Sequence, residues 1–197
     1  MDIYWRDNLI CPTEEEYIEM VNNKTGGLLR LAVKLMQACS QSTTCFHLFV
    51  NANNSNFVPL VNLIGILFQI RDDYQNLQDD IYAHNKGFCE DITEGKFSFP
   101  IIHAIRSHPE DRQLISNDFA YLANIDILKQ HTNSEELKMY CVNYMRDETL
   151  SFAYTEAVLR NLDHGARQEI EKLGGNVGLV AILDKLRINA NGTEVVV

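Results

Sequence analysis

With 197 residues, 46% of them hydrophobic, the chain has enough apolar material for one compact domain with a sizeable core, 1–197, and no second domain is expected. Its 17 basic and 27 acidic residues give a formal charge of −10, which argues against a sequence-independent grip on nucleic acid or on an anionic membrane surface. An anionic ligand would need locally placed Lys or Arg side chains, or a bridging cation.

The amino terminus, Met1 to Pro12, carries charges where a signal peptide needs an apolar stretch, and no 18-residue apolar run follows. A cytoplasmic protein without a transmembrane segment is therefore expected. Thr13 ahead of Glu14, Glu15 and Glu16 has the form of an N-cap with a capping box. It opens a helix with Tyr17, Met20 and Val21 as apolar landmarks. Gly26-Gly27 is expected to interrupt that helix before Leu28 to Ala38 resumes it.

From Asn56 to about Leu77 the apolar positions leave hardly any polar face, the pattern of a helix in the middle of a bundle. That run ends in Arg71-Asp72-Asp73-Tyr74-Gln75-Asn76, so a buried helix delivers charge at one end. Gly87 and Gly95 bracket a connection, and Phe97 to Ile105 resumes an apolar pattern. Asn133-Ser134-Glu135-Glu136 reads as the cap of a long helix reaching toward Leu162, with Leu137, Tyr140, Cys141, Tyr144, Phe152, Val158 and Leu159 as its stripe. Gly174-Gly175 marks a break before a last helix, Val177 to Leu186, and a frayed tail, 189–197. Nothing alternates with period two, so the fold class is all-α.

Gln69, Asp72, Asp73 and Asn76 are spaced by three or four residues and share a helix face. Two adjacent carboxylates with an amide one turn on suit Mg2+, which takes few protein oxygens and completes its shell with water and phosphate. An isolated Asp-Asp pair usually ends as a solvated helix terminus. Here the buried helix leading into the pair favours a cleft, a partner or an ion. Lys24-Thr25-Gly26-Gly27 sets a cation and a hydroxyl beside glycines, as an anion site would need. Lys86 and Lys96 flank the connection after the acidic cluster. The five scattered cysteines form no CxxC pair, and no HExxH, GxSxG, P-loop or GxGxxG motif is present.

Taken together, several blocks resemble a contiguous stretch of the eukaryotic geranylgeranyl diphosphate synthases, within the polyprenyl diphosphate synthase family. They are Met1 to Asp7, Cys11 to Tyr17, Lys24 to Leu28, Phe68 to Tyr74 with Asn76, and Asn85 to Pro100. The Phe68 and Asn85 blocks are similar to that family's second aspartate-rich region and its lysine-bearing loop. The resemblance extends through Ser151-Phe152 and Gly174-Gly175-Asn176 to about Leu186.

It implies an isoprenoid synthase helical bundle whose N-terminal helices are missing. It also implies Mg2+-dependent condensation of isopentenyl diphosphate with an allylic diphosphate (dimethylallyl, geranyl or farnesyl), the parent reaction yielding geranylgeranyl diphosphate. By position, Asp72 and Asp73 would bind metal with Asn76 in support, and Lys24, Thr25, Gln69, Lys86 and Lys96 would bind the allylic diphosphate. The family's first aspartate-rich motif has no counterpart here, so the isolated chain is expected to turn over little or nothing. It would work as a homo- or hetero-oligomer with synthase subunits, or, as the alternative, as a non-catalytic regulatory subunit pairing with a full-length synthase.

Overall fold

A computed structural model of the chain describes residues 1–39, 56–78, 88–107 and 127–188. Among these residues every regular element is helical. The short helix α1 (Asp2–Asn8) buries Trp5 and closes on Leu9 in the left-handed conformation, φ 52°. Thr13 then opens α2 (Glu14–Cys39) through a reciprocal pair of bonds. Glu16 N–H donates to Thr13 Oγ1 at 3.1 Å, and Thr13 N–H donates to the Glu16 carboxylate at 2.8 Å. Two backbone donors that a helix start would leave unpaired are thus satisfied.

The interruption expected at Gly26-Gly27 does not occur: α2 runs unbroken through both glycines for 26 residues. The reason lies on its neighbour, α3 (Val58–Gln78). A Cβ added at Gly65 of α3 would sit 3.6 Å from Gly26 Cα. Gly26 and Gly65 serve a close crossing of two backbones, which is set against their unfavourable helix propensity of about 1 kcal/mol each, whereas a Cβ at Gly27 would meet Arg30 Nη2 at 3.9 Å and nothing on α3. Arg30 clasps the same crossing, donating to Asn62 Oδ1 on α3 at 2.7 Å and to Asn22 O at 3.0 Å.

α3 lies between α2 and α7 (Ser151–Lys172), its two most extensive partners. Leu60, Ile66, Leu67, Ile70, Tyr74 and Leu77 are buried, while Phe68 stays 49% exposed. The apolar helix is therefore not covered all round among the described residues. The short α4 (Glu90–Thr93) and α5 (Phe99–Arg106) pack on its C-terminal half. Gly95, φ 67°, makes the tight turn between them, and a Cβ there would meet His131 Cε1 at 2.6 Å, so only glycine fits.

Ser134 caps α6 (Glu135–Asn143), accepting from Leu137 N–H at 3.5 Å. The single long helix expected from this cap toward Leu162 is divided. A π-helical turn (Tyr144–Glu148) and left-handed Leu150, φ 50°, precede the start of α7. Buried hydroxyls compete for partners at the break. Thr149 Oγ1 and Ser151 Oγ lie 2.6 Å apart, and His103 Nδ1 is 2.8 Å from Ser151 Oγ. Tyr140, counted in the apolar stripe, faces outward at 49% exposure. Gly174 and Gly175 take positive φ (96° and 79°), and Asn176 Oδ1 accepts from Leu179 N–H at 3.0 Å to cap α8 (Val177–Leu186). Residues 189–197 lie outside the described residues, as does Lys86. No helix among the described residues is long and apolar enough to cross a membrane.

Candidate functional site

The charged end of α3 meets α2, α4 and α5 around one buried carboxylate. Asp73 has no solvent exposure. Its Oδ1 accepts from Gln69 Nε2 at 3.1 Å and from Lys96 Nζ at 2.8 Å. Its Oδ2 accepts from the Tyr17 hydroxyl at 2.6 Å and from Phe99 N–H at 2.9 Å. A carboxylate offers about four lone-pair sites, and here each has a donor, which is how a buried charge becomes tolerable. Asp73 ties α2, α3 and the start of α5 together and has no lone pair left for a further ligand.

Lys96 sits between two acids. Besides Asp73 it donates to both Asp91 oxygens, at 3.1 and 3.2 Å. Burial works to lower the Lys96 pKa, but Asp73 and Asp91 outweigh it and hold the ammonium above its ordinary range. Burial, and then the charge of Asp73, push the Asp91 carboxyl up to about 7 against the pull of Lys96. Burial and the neighbouring Asp73 also raise the Tyr17 phenol well above its usual value, so it stays a donor. Asn76 turns toward α4, where its Oδ1 accepts from Asp91 N–H at 3.0 Å.

The four side chains expected on one face of α3 thus divide by role. Gln69 and Asp73 belong to the buried network, and Asn76 braces α4. Asp72 is partly exposed and makes no hydrogen bond or ion pair among the described residues. It is the carboxylate with free oxygens, as a metal ligand requires. No group of three or more His, Cys, Asp or Glu side chains that could hold a metal ion is present among the described residues. A Mg2+ held by few protein oxygens fits Asp72, whereas the saturated Asp73 suits a bracing role.

Beside the network opens a cavity of about 350 Å3. Lys24 and Thr25 from α2, Gln69 from α3 and Lys96 line it, with Ile3, Met20 and Phe97 as apolar wall. Four of the five residues expected to bind an anion therefore share one space. Lys24 Nζ is 2.6 Å from Asp2 Oδ2, and the Thr25 hydroxyl donates to Gln69 Oε1 at 3.4 Å. Asp2, Tyr17 and Asp91 were not singled out by the sequence pattern. Tyr17 lies seven residues before Lys24, on the same helix face, which could have pointed to it. Asp91 sits inside the block Asn85 to Pro100 but has no spacing relation to Lys96 that marks a pair, and Asp2 has none to Lys24.

The chain is similar to known proteins. Residues 1–145 match the family model described as polyprenyl synthetase. The chain is 50% identical over 190 residues to a geranylgeranyl pyrophosphate synthase of Mucor circinelloides f. lusitanicus, covering 96% of this chain and 55% of that protein. It is 53% identical over 178 residues to one from Aspergillus flavus, covering 90% and 46%. Against one from Zymoseptoria tritici it is 51% identical over 195 residues, covering 97% and 53%. The chain spans about half the length of these curated relatives.

Proposed function

The chain belongs to the polyprenyl synthetase family, and from that premise we propose that it supplies one wall of a diphosphate site used in prenyl transfer. In this reading isopentenyl diphosphate condenses with an allylic diphosphate (dimethylallyl, geranyl or farnesyl), and the product is geranylgeranyl diphosphate. The observation that carries it is the convergence of Lys24, Thr25, Gln69 and Lys96 on one cavity with an apolar side. Two cations, a hydroxyl and an amide suit a diphosphate head, and the apolar wall suits the first carbons of a prenyl chain.

Asp72 would hold Mg2+, with Asn76 and Asp73 bracing the helices around it. When bound, the metal would neutralise charge that develops on a departing diphosphate. Lys24 and Lys96 would share that work as fixed positive charge. Gln69 and Thr25 would orient the head group, and the Lys86 of the neighbouring connection would add a further cation. The setting is cytoplasmic. Association with synthase subunits completes the reading, supported by the exposed apolar residues Leu28, Leu31 and Leu35 on α2.

Titration of the purified chain with inorganic pyrophosphate in Mg2+ tests the site. Binding is expected, and Lys24→Gln and Lys96→Gln are each expected to weaken it by about tenfold, the worth of a charge-assisted contact. A chain that takes up no pyrophosphate would overturn the reading. Incubation with isopentenyl and farnesyl diphosphates, followed by mass spectrometry, then separates a catalytic chain from a non-catalytic partner. A C20 diphosphate appears only in the first case.

A further inference from the structure

We propose that Asp91 is a positioning residue that aims Lys96 into the cavity. The inference rests on the diphosphate reading above, because Lys96 matters only if an anion occupies that space. An ammonium has three N–H donors. In Lys96 one goes to Asp73 at 2.8 Å, and another is shared between the two oxygens of Asp91 at 3.1 and 3.2 Å. Those two directions fix the remaining N–H of a flexible four-carbon chain, and Lys96 lines the cavity with its side chain 32% exposed.

Asp91 is itself immobilised on every side the pair needs. Its side chain is 8% exposed. Its N–H donates to Asn76 Oδ1 at 3.0 Å, and its carbonyl accepts from Lys96 N–H at 2.9 Å. Gly95, at positive φ and against His131 and the Leu128 carbonyl, turns the chain so that Lys96 folds back over α4. The result is a closed bracket running from Asn76 on α3 through Asp91 to Lys96. Asn76 enters the site through this bracket, with its carbonyl oxygen already committed to a backbone donor.

The test exploits a difference in sign. In buffer above the Asp91 pKa of about 7, where the carboxyl is ionised, removing that negative charge close to an anion site should tighten binding if Asp91 is only a bystander. If Asp91 aims Lys96, Asp91→Asn should instead weaken pyrophosphate binding, by about tenfold in calorimetry with Mg2+, as the loss of one well-directed charged contact implies. In a Lys96→Gln background the same substitution should change affinity less than about twofold, since the two residues act as one unit. Asp91→Glu, which keeps the charge and moves it outward, should weaken binding to a smaller extent, and it serves as the second variant where Asp91→Asn does not fold. Binding by the parent chain with unchanged or tighter binding by Asp91→Asn, or by Asp91→Glu alone, would overturn the positioning role and leave the diphosphate reading intact. Failure of the parent chain to bind pyrophosphate would overturn both.

Discussion

The two halves of α2 share one helix and a similar apolar pattern, yet they stand in opposite surroundings. In the first half Tyr17 and Val21 are each 1% exposed, and Tyr17 is fastened to the buried carboxylate of α3. In the second half Leu28, Leu31 and Leu35 are 70%, 54% and 56% exposed, a stripe at helical spacing with nothing over it among the described residues. Apolar content is thus no measure of how firmly a segment is held. The first half is anchored by a network around a buried carboxylate that can form in one geometry only, whereas the second is tied to α3 by Arg30 at its start and leaves its apolar stripe exposed among the described residues. A saturated network specifies a position, whereas an apolar stripe specifies only that something should cover it.

The comparison can be broken most severely at its anchor. Asp73→Ala would leave Tyr17, Gln69, Lys96 and the Phe99 amide without their acceptor, one of them a charge. A loss of about 3–5 kcal/mol is expected for breaking a buried pair from one side, read from urea unfolding by linear extrapolation. A loss below about 1 kcal/mol would show that the network does not hold the two helices.

The second effect is a pH dependence at Asp91. The folded state binds the Asp91 proton more tightly than the unfolded chain, with a pKa of about 7 against an ordinary value of about 3.9. The stability this proton contributes is therefore complete below about pH 4 and is lost as pH rises through about 7. Asp91→Asn has no such proton to lose. Its unfolding free energy relative to the parent chain should climb between pH 4 and 7 and level off above, in paired denaturation curves. A difference independent of pH would mean that Asp91 is ionised throughout.

The smallest effect is expected on the other half of α2. Leu28→Gln, Leu31→Gln and Leu35→Gln should each change stability by no more than about 0.5 kcal/mol, as exposed positions do. Sedimentation should show less self-association in the triple variant than in the parent chain. A large stability loss would show that the stripe is packed in solution.

Local signals made much of this legible from sequence. The Thr13-Glu16 box, the Ser134 cap and the Gly174-Gly175 break all rest on contacts within a few residues, and each appears where the pattern put it. The pair Gly26-Gly27 has the form of a helix break, but Gly26 answers to Gly65, 39 positions away by the numbering. The division between α6 and α7 was equally hidden, since it depends on Thr149 and Ser151 finding each other and His103. At the site, helical spacing grouped Gln69, Asp72, Asp73 and Asn76. Only their partners on other elements separated the saturated Asp73 from the unpartnered Asp72. Lys96 stood out as a cation near an acidic cluster, but Asp91 and Tyr17 became meaningful only once the chain had folded back on itself.

The crossing at Gly26 and Gly65 also bears on how such a site can change over time. Thr25 is the neighbour of Gly26, and Gln69 stands one turn beyond Gly65. Because the helices meet there backbone to backbone, the contact works as a datum face from which both walls of the cavity are measured. Exchanging lining residues such as Ile3, Met20 or Phe97 alters what fills the gap without resetting its width. Ligand preference can then drift by one side chain at a time while the frame that carries the charged groups keeps its gauge.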